Sequence, residues 1–336
     1  AWHVRDVIGE RAARAGVPCV ALSPCPDLAS LAWADRVLPG EADERQSWPM
    51  AEAIDLREED PGNGLLTRRL ATILRGDGRV LCVLNRKGRA RLLACTACQA
   101  VARCTACDAA VGQNDGGLDC PRCGATRPLV CADCGGGRLK TLRPGVSRLR
   151  EQLAALANEP VGEVTATAAT GADRRIVIGT EAVLHRGGRA ETVVFLDVDQ
   201  ELLAPRYRAV EEAFALITRA ARLTGGRRGP GRLVLQTRMP DHDVVLALVH
   251  GDPERVAAGE RERRSALSFP PFSAMAAVSG AAATTYVEAI DGVEKISLDG
   301  DTWIVRAPDH QTLCDALAAA PRPSGRLRVE VDPLRL

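Results

Sequence analysis

The sequence predicts an α/β protein: a parallel sheet carrying a small cysteine-rich insertion, followed by a small C-terminal α/β domain. Three observations predict it. The apolar, β-branched runs "RVLCVL", "RRIVIG", "TVVFLDV" and "GRLVLQT" each end in polar residues, and helical patterns lie among them; near-continuous apolar strands alternating with helices belong to parallel sheets covered on both faces. Eight of the twelve cysteines fall between Cys95 and Cys134 as four C-x-x-C pairs. The chain has 336 residues, 46% of them apolar, which is enough for two or three compact cores.

In chain order, "AWHVRDVIGERAARAG" reads as a helix that begins at Ala1 rather than Met, so the natural start is expected upstream. Val80 to Leu84 form a short buried strand that ends in the basic turn Asn85-Arg86-Lys87-Gly88. After the cysteines, "SRLREQLAALANE" places Leu149, Leu153 and Leu156 on one helical face. "SFPPFSAM" reads as a rigid extended lead-in, because Pro270 and Pro271 fix φ and remove donors. Residues 279–285, "SGAAATT", read as a linker, and "TWIVRA", "DHQTLCDALAAA" and "RLRVEVD" give strand, helix and strand. In open α/β sheets the chemistry gathers beyond the carboxyl ends of the strands, where Asn85, Gly179, Thr180, Glu181, Asp197, Asp199, Gln236 and Thr237 are expected.

The four cysteine pairs could be disulfides, redox dithiols or metal knuckles. A redox C-x-x-C usually occurs once, and disulfides do not persist in a reducing compartment. Gly and small residues beside the pairs suit tight turns whose amides face thiolate sulfurs. Four thiolates close one tetrahedral site, so eight predict two structural zinc ions with no open coordination position. The stretch between the second and third pairs, Asp108 to Asp119, is hairpin-like. A nested arrangement follows: Cys104, Cys107, Cys120 and Cys123 on one ion, and Cys95, Cys98, Cys131 and Cys134 on the other. Sequential pairing of the first pair with the second is the alternative. Cys19, Cys25, Cys82 and Cys314 stand alone at apolar positions and read as core thiols.

Lys plus Arg number 44 and Asp plus Glu 43, so no global charge marks a nucleic-acid binder and any such role needs a local patch. Arg86, Lys87, Arg89 and Arg91 make one basic cluster, which leads straight into the cysteines, and Arg219, Arg222, Arg227 and Arg228 make another. No apolar run approaches the roughly 18 residues of a membrane span, and the opening is not a signal peptide. A cytoplasmic protein with no membrane partner is expected. The scattered His185, His242, His250 and His310 carry no assigned role.

The ordered set "VLCVLNRKG", four C-x-x-C pairs, "IVIGTE", "FLDVDQELLAPRYRAVEEAFALI", "LVLQTRMPDH" and "ERRSALSFPPFS" resembles the primosomal protein N′ (PriA) family of replication-restart DNA helicases. That resemblance implies a superfamily 2 helicase architecture of recombinase-like lobes with a two-zinc ribbon inserted in the second. By it, residues 1–40 are the tail of the first lobe and 41–64 a linker. Residues 65–93 and 137–250 are then the second lobe, 94–136 the zinc insertion, and 251–336 a C-terminal α/β domain that helps hold branched DNA. It also implies ATP and magnesium as cofactors, and forked or branched DNA and other primosome proteins as partners.

The chain departs from the family pattern at the motor. No G-x-x-x-x-G-K-[ST] occurs in the 336 residues; by the resemblance that element would precede Ala1. Where the family has two arginines facing the γ-phosphate, this chain reads "TRAARLTGGRRGPG": Arg222 lies one place early and Gly226 takes the second position. An arginine finger is worth about three to five orders of magnitude in rate. Glu181 stands where the family has Gln, and the following segment is short and lacks Lys. Gly179, Thr180, Asp199 and Arg222 are therefore carried as degenerate nucleotide-site residues, and no residue is assigned as catalytic. A restart protein without an efficient motor is expected. The alternatives are an active ATP-dependent 3′-to-5′ DNA helicase whose first lobe lies outside this chain, and a zinc module binding protein or RNA.

Overall fold

The computed structural model describes residues 4–35, 37, 39–84, 92–114, 117–141, 146–204, 206–227 and 229–333. The chain folds as two compact units, one of Leu38–Val256 and one of Ala1–Val37 with Ala257–Leu336. Residues 1–37, expected as the tail of a separate lobe, thus group with the C-terminal part.

The strands, in chain order, are β1 Met50–Asp55, β2 Val80–Val83, β3 Leu93–Cys95, β4 Gly112–Asn114, β5 Gly117–Asp119, β6 Thr126–Arg127, β7 Leu139–Thr141 and β8 Gly162–Val164. There follow β9 Ala169–Thr170, β10 Ile176–Gly179, β11 Thr192–Phe195, β12 Arg232–Thr237, β13 Ala274–Ser279, β14 Glu294–Asp299, β15 Thr302–Ala307 and β16 Arg328–Val331.

The larger unit is built on a seven-stranded sheet of order β1-β12-β11-β2-β10-β8-β9, parallel throughout except for the β8–β9 pair at one edge. Strands β2 and β10 are buried at every position, as runs of Val, Ile and Leu must be when helices cover both faces. The helix Val146–Ala157 packs Leu149 and Leu153 into this core, with Leu156 partly buried beside them. Each such side chain removed from water contributes about 1.5 to 3 kcal/mol.

The expected linker 41–64 contains β1, which pairs in parallel with β12 from Met50↔Arg232 to Asp55↔Thr237. Its sequence "MAEAID" lacks the β-branched run of the other strands, and Glu52 lies at the sheet edge paired with Arg69, Nε to Oε1 2.7 Å. Edge strands tolerate such polarity because one side of their ladder is open.

In the smaller unit, the antiparallel sheet β14-β15-β13-β16 carries the helices Ala283–Glu288 and His310–Ala319 over a core that includes Val278, Val287, Val305 and Leu313. Asp309 caps the second helix by accepting from the Thr312 amide at 2.7 Å. Residues 279–285 are not a linker: Ser279 closes β13, and Ala283 opens a helix with its side chain fully buried. The "SFPPFSAM" lead-in is a turn, not an extended segment. Its Phe272 amide donates to the Phe269 carbonyl at 3.0 Å, and Ser273 Oγ donates to the Ser268 carbonyl at 2.5 Å. No helix among the described residues is long and apolar enough to cross a membrane.

Candidate metal centre

The cysteine-rich insertion leaves the sheet between the carboxyl end of β2 and the helix Val146–Ala157. Four turns of one construction carry the eight thiols. In each, the residue after the second cysteine adopts a left-handed backbone: Gln99 (φ 60°), Asp108 (φ 58°), Gly124 (φ 74°) and Gly135 (φ 74°). The amides of these four residues donate to the carbonyls of Cys95, Cys104, Cys120 and Cys131 at 2.9 to 3.1 Å. The amides of those same four cysteines in turn donate to Ala100, Ala109, Ala125 and Gly136 at 2.8 to 2.9 Å. The C-x-x-C spacing therefore forms a closed turn that presents both sulfurs to one side.

Pairing of the turns follows from the strands. The hairpin β4–β5, extended by β6, joins the second and third turns. The ladder β3–β7, with Cys95 opposite Leu139, brings the first turn back to the fourth. The sulfurs gather in the nested sets, Cys95, Cys98, Cys131 and Cys134 in one and Cys104, Cys107, Cys120 and Cys123 in the other, with all four atoms of each set within 4.8 Å of one another. Sequential pairing is not what the fold builds.

Within the first set Cys95 Sγ lies 3.5 Å from Cys134 Sγ, and Cys98 Sγ 3.6 Å from Cys131 Sγ. Within the second, Cys104–Cys123 and Cys107–Cys120 are both 3.5 Å. A disulfide bond is about 2.05 Å, whereas four sulfurs at about 2.3 Å from one zinc ion stand about 3.8 Å apart. Both sets fit a tetrahedral metal, and both could hold one. A Cβ on Gly136 would lie 3.3 Å from Cys95 Sγ and 3.4 Å from Cys134 Sγ, so that position is kept small by the cage.

One thiol in each set is held near neutrality. Cys95 is lowered to about 7, chiefly by the backbone amide of Cys98 and then against burial by that of Ala97. Burial pushes Cys104 up, but the amides of Ala106 and Cys107 outweigh it and bring the thiol to about 7. Burial raises Cys98, to about 12, and also Cys107, Cys120 and Cys131. Such clustered thiols lose their protons together when a cation arrives to neutralise them. Among the isolated thiols, Cys82 is a core residue pushed up to about 12 by burial. Cys19, Cys25 and Cys314 are only half-buried, contrary to their expected core placement.

The insertion rests on the carboxyl edge of the sheet. Arg122, inside the third turn, donates to the carbonyls of Ala204 and Arg206, both at 3.1 Å. That edge also holds a buried charge cluster. Asp199 accepts from Thr237 Oγ1 at 2.5 Å and from the Arg238 amide at 2.9 Å, and Asp197 accepts from Gln200 Nε2 at 3.2 Å. Arg238 Nη1 lies 3.8 Å from Asp197 and 3.7 Å from Asp199, ion-pair distances too long for hydrogen bonds. Burial, and then the charge of Asp199, pushes Asp197 up, and burial likewise raises Asp199. Gln236, expected at this edge as a chemical group, is a staple instead: it donates to the Leu65 and Leu196 carbonyls at 2.9 and 3.0 Å and accepts from Thr67 at 2.7 Å.

The four nucleotide-site residues do not come together. Gly179 closes β10 and Thr180 and Asp199 follow strand ends at the carboxyl edge, whereas Arg222 lies in the last turn of the helix Ala209–Thr224 and lines a cleft of about 340 Å³ with Arg79, Arg189 and Glu191, beside the starts of β2 and β11. A helix of this length spans about 24 Å. Gly179 has a packing reason of its own, since a Cβ there would lie 1.8 Å from the Val164 carbonyl oxygen on neighbouring β8. Arg219, Arg222 and Arg227 are exposed. The basic cluster Arg86, Lys87, Arg89 and Arg91, and also Arg228, lie outside the described residues.

No protein-family model matches the chain. Among curated proteins, it is 29% identical over 252 residues to the replication restart protein PriA of Haemophilus influenzae, which covers 68% of this chain and 34% of that protein. It is 27% identical over 312 residues to the PriA of Bacillus subtilis, covering 83% of this chain and 38% of the relative. Against the PriA of Treponema pallidum it is 28% identical over 300 residues, 81% of this chain and 45% of the relative. The chain thus spans about a third to under a half of these relatives. With cysteine cages on a parallel sheet and a small antiparallel sheet in the second unit, the chain is similar to the replication restart protein PriA, as the C-terminal portion of such a protein would be.

Proposed function

We propose that this chain acts in replication restart by binding forked or branched DNA, with two structural zinc ions shaping the contact surface and without an efficient motor. The observation that carries this reading is the gathering of eight thiols into two cages, preceded in the sequence by a basic run, in a chain similar to PriA. Soft thiolate sets of four select zinc, and a set with no open position supplies folding energy rather than catalysis. Arg86, Lys87, Arg89 and Arg91 would meet phosphates, which position a protein on DNA without reading its sequence. Gly226 in place of the second arginine, Glu181 in place of Gln and the early position of Arg222 support the loss of the motor. Other primosome proteins are the expected protein partners.

The experiment is zinc quantitation together with fork-DNA binding before and after chelation, and phosphate release with and without DNA. Fork binding lost on chelation, restored by zinc and preferred over flush duplex is expected, with no DNA-stimulated phosphate release. DNA-stimulated release would favour the active helicase instead. Equal binding to flush and branched duplexes would favour a general zinc module.

A further inference from the structure

We propose that Arg122 is a positioning residue through which the second cage holds the turn after β11, so that metal in that cage sets the order of the sheet's carboxyl edge. Arg122 lies between Cys120 and Cys123, so its backbone is held within the turn that those two thiols anchor. Its guanidinium reaches across to the lobe, where Nη2 donates to both Ala204 and Arg206, and Nη1 reaches back to the Cys107 carbonyl at 3.5 Å within the same cage. One planar group thus joins a cage turn to two carbonyls of a different element, a geometry a point charge cannot reproduce.

The carbonyls it takes are already in use. Ala204 O accepts from the Arg206 amide at 2.7 Å, and Arg206 O accepts from the Ala209 amide at 3.1 Å, which opens the helix Ala209–Thr224. Upstream, the Leu203 amide donates to Asp199 O at 2.9 Å, so the turn continues directly from the buried Asp197, Asp199 and Arg238 cluster. Leu203 and Ala204 are 2% and 1% exposed, and the turn is therefore packed as well as hydrogen-bonded. Arg103, between the first and second turns, adds a favourable charge toward Asp199 from the same insertion.

The inference rests on the proposal that the cages bind metal, and its test separates the two. In the full chain, Arg122→Ala, Arg122→Lys and Cys123→Ser are compared by metal content from native mass spectrometry and by amide hydrogen exchange. Arg122→Ala is expected to keep both metal ions yet speed exchange at Arg206 and Ala209 about tenfold each, the scale of losing one charge-assisted hydrogen bond at each carbonyl they share. Peptides of β10 and β11 should not change. Arg122→Lys should fall between, and Cys123→Ser should lose one metal and loosen the same turn, with no further effect when combined with Arg122→Ala. Two bound metals with unaltered exchange in Arg122→Ala would overturn the positioning role of Arg122 alone, as would equal acceleration across the sheet. Absence of metal from the unaltered protein would overturn both readings.

Discussion

Gln99 holds the left-handed position of its knuckle with a side chain that disfavours it and Asp108 with one that tolerates it, while Gly124 and Gly135 hold it freely. No atom lies within 4 Å of a Cβ built on Gly124, so Gly124→Ala meets only the backbone penalty of about 1 to 2 kcal/mol and should weaken zinc binding roughly tenfold in a chelator competition. Gln99→Gly relieves that penalty but removes a buried side chain and its Nε2 bond to the Thr96 carbonyl at 3.2 Å, so the two should offset to within about 1 kcal/mol in the same competition. The thiols and their nesting were legible in the spacing, because a C-x-x-C turn has few geometries. The left-handed residue after each pair was not read, because only two of the four are glycine.

Asp197 illustrates a residue whose place was legible and whose environment was not. Its folded pKa lies above the ordinary carboxylate value because of burial and then Asp199. For such a group the folded state holds its proton longer than the unfolded state, so its contribution to stability is greatest below about pH 4 and is lost as pH rises through the folded value, about 7. Asp197→Asn keeps a hydrogen-bonding group beside Gln200 and leaves Arg238 its partner Asp199. The variant should be more stable at pH 8 by about 1 to 3 kcal/mol, with the advantage shrinking toward pH 5, as read from urea midpoints at both pH values.

At the scale of elements, the strands β2, β10, β11 and β12 were legible because doubly covered strands are apolar along their whole length. β1 was not, since an edge strand need satisfy only one neighbour and "MAEAID" carries two acids. The helix starting at Ala283 was hidden in the same way, behind small residues that look like a linker until Ala283 and Val287 are seen against β13 and β15. Gly179 looked like a site residue, and the approach of the Val164 carbonyl explains it structurally. Gly179→Ala should cost more than about 2 kcal/mol by forcing β8 from β10, seen as a lower urea midpoint. A variant of unchanged stability would remove the packing account.

At the scale of the molecule, a parallel sheet followed by an insertion after one strand must send that insertion out over its carboxyl edge, so the cages and the buried charge cluster share one side. That placement was foreseeable from topology, but the Arg122 contact that joins them was not, because nothing in "CPRC" distinguishes an arginine turned toward solvent from one turned toward the lobe. The basic run 86–91 enters the same insertion. Replacing Arg86, Lys87, Arg89 and Arg91 together with Ala should weaken fork binding and lower the slope of log K against log salt by up to about 3.6, the release expected from four phosphate contacts. An unchanged slope would exclude them from the DNA contact.

Native mass spectrometry of the intact chain, with thiol alkylation before and after chelation, tests the central claim most directly. Two zinc ions per chain, and eight thiols that react only once the metal is stripped, are predicted. A chain with no bound metal whose eight cysteines alkylate freely would contradict it.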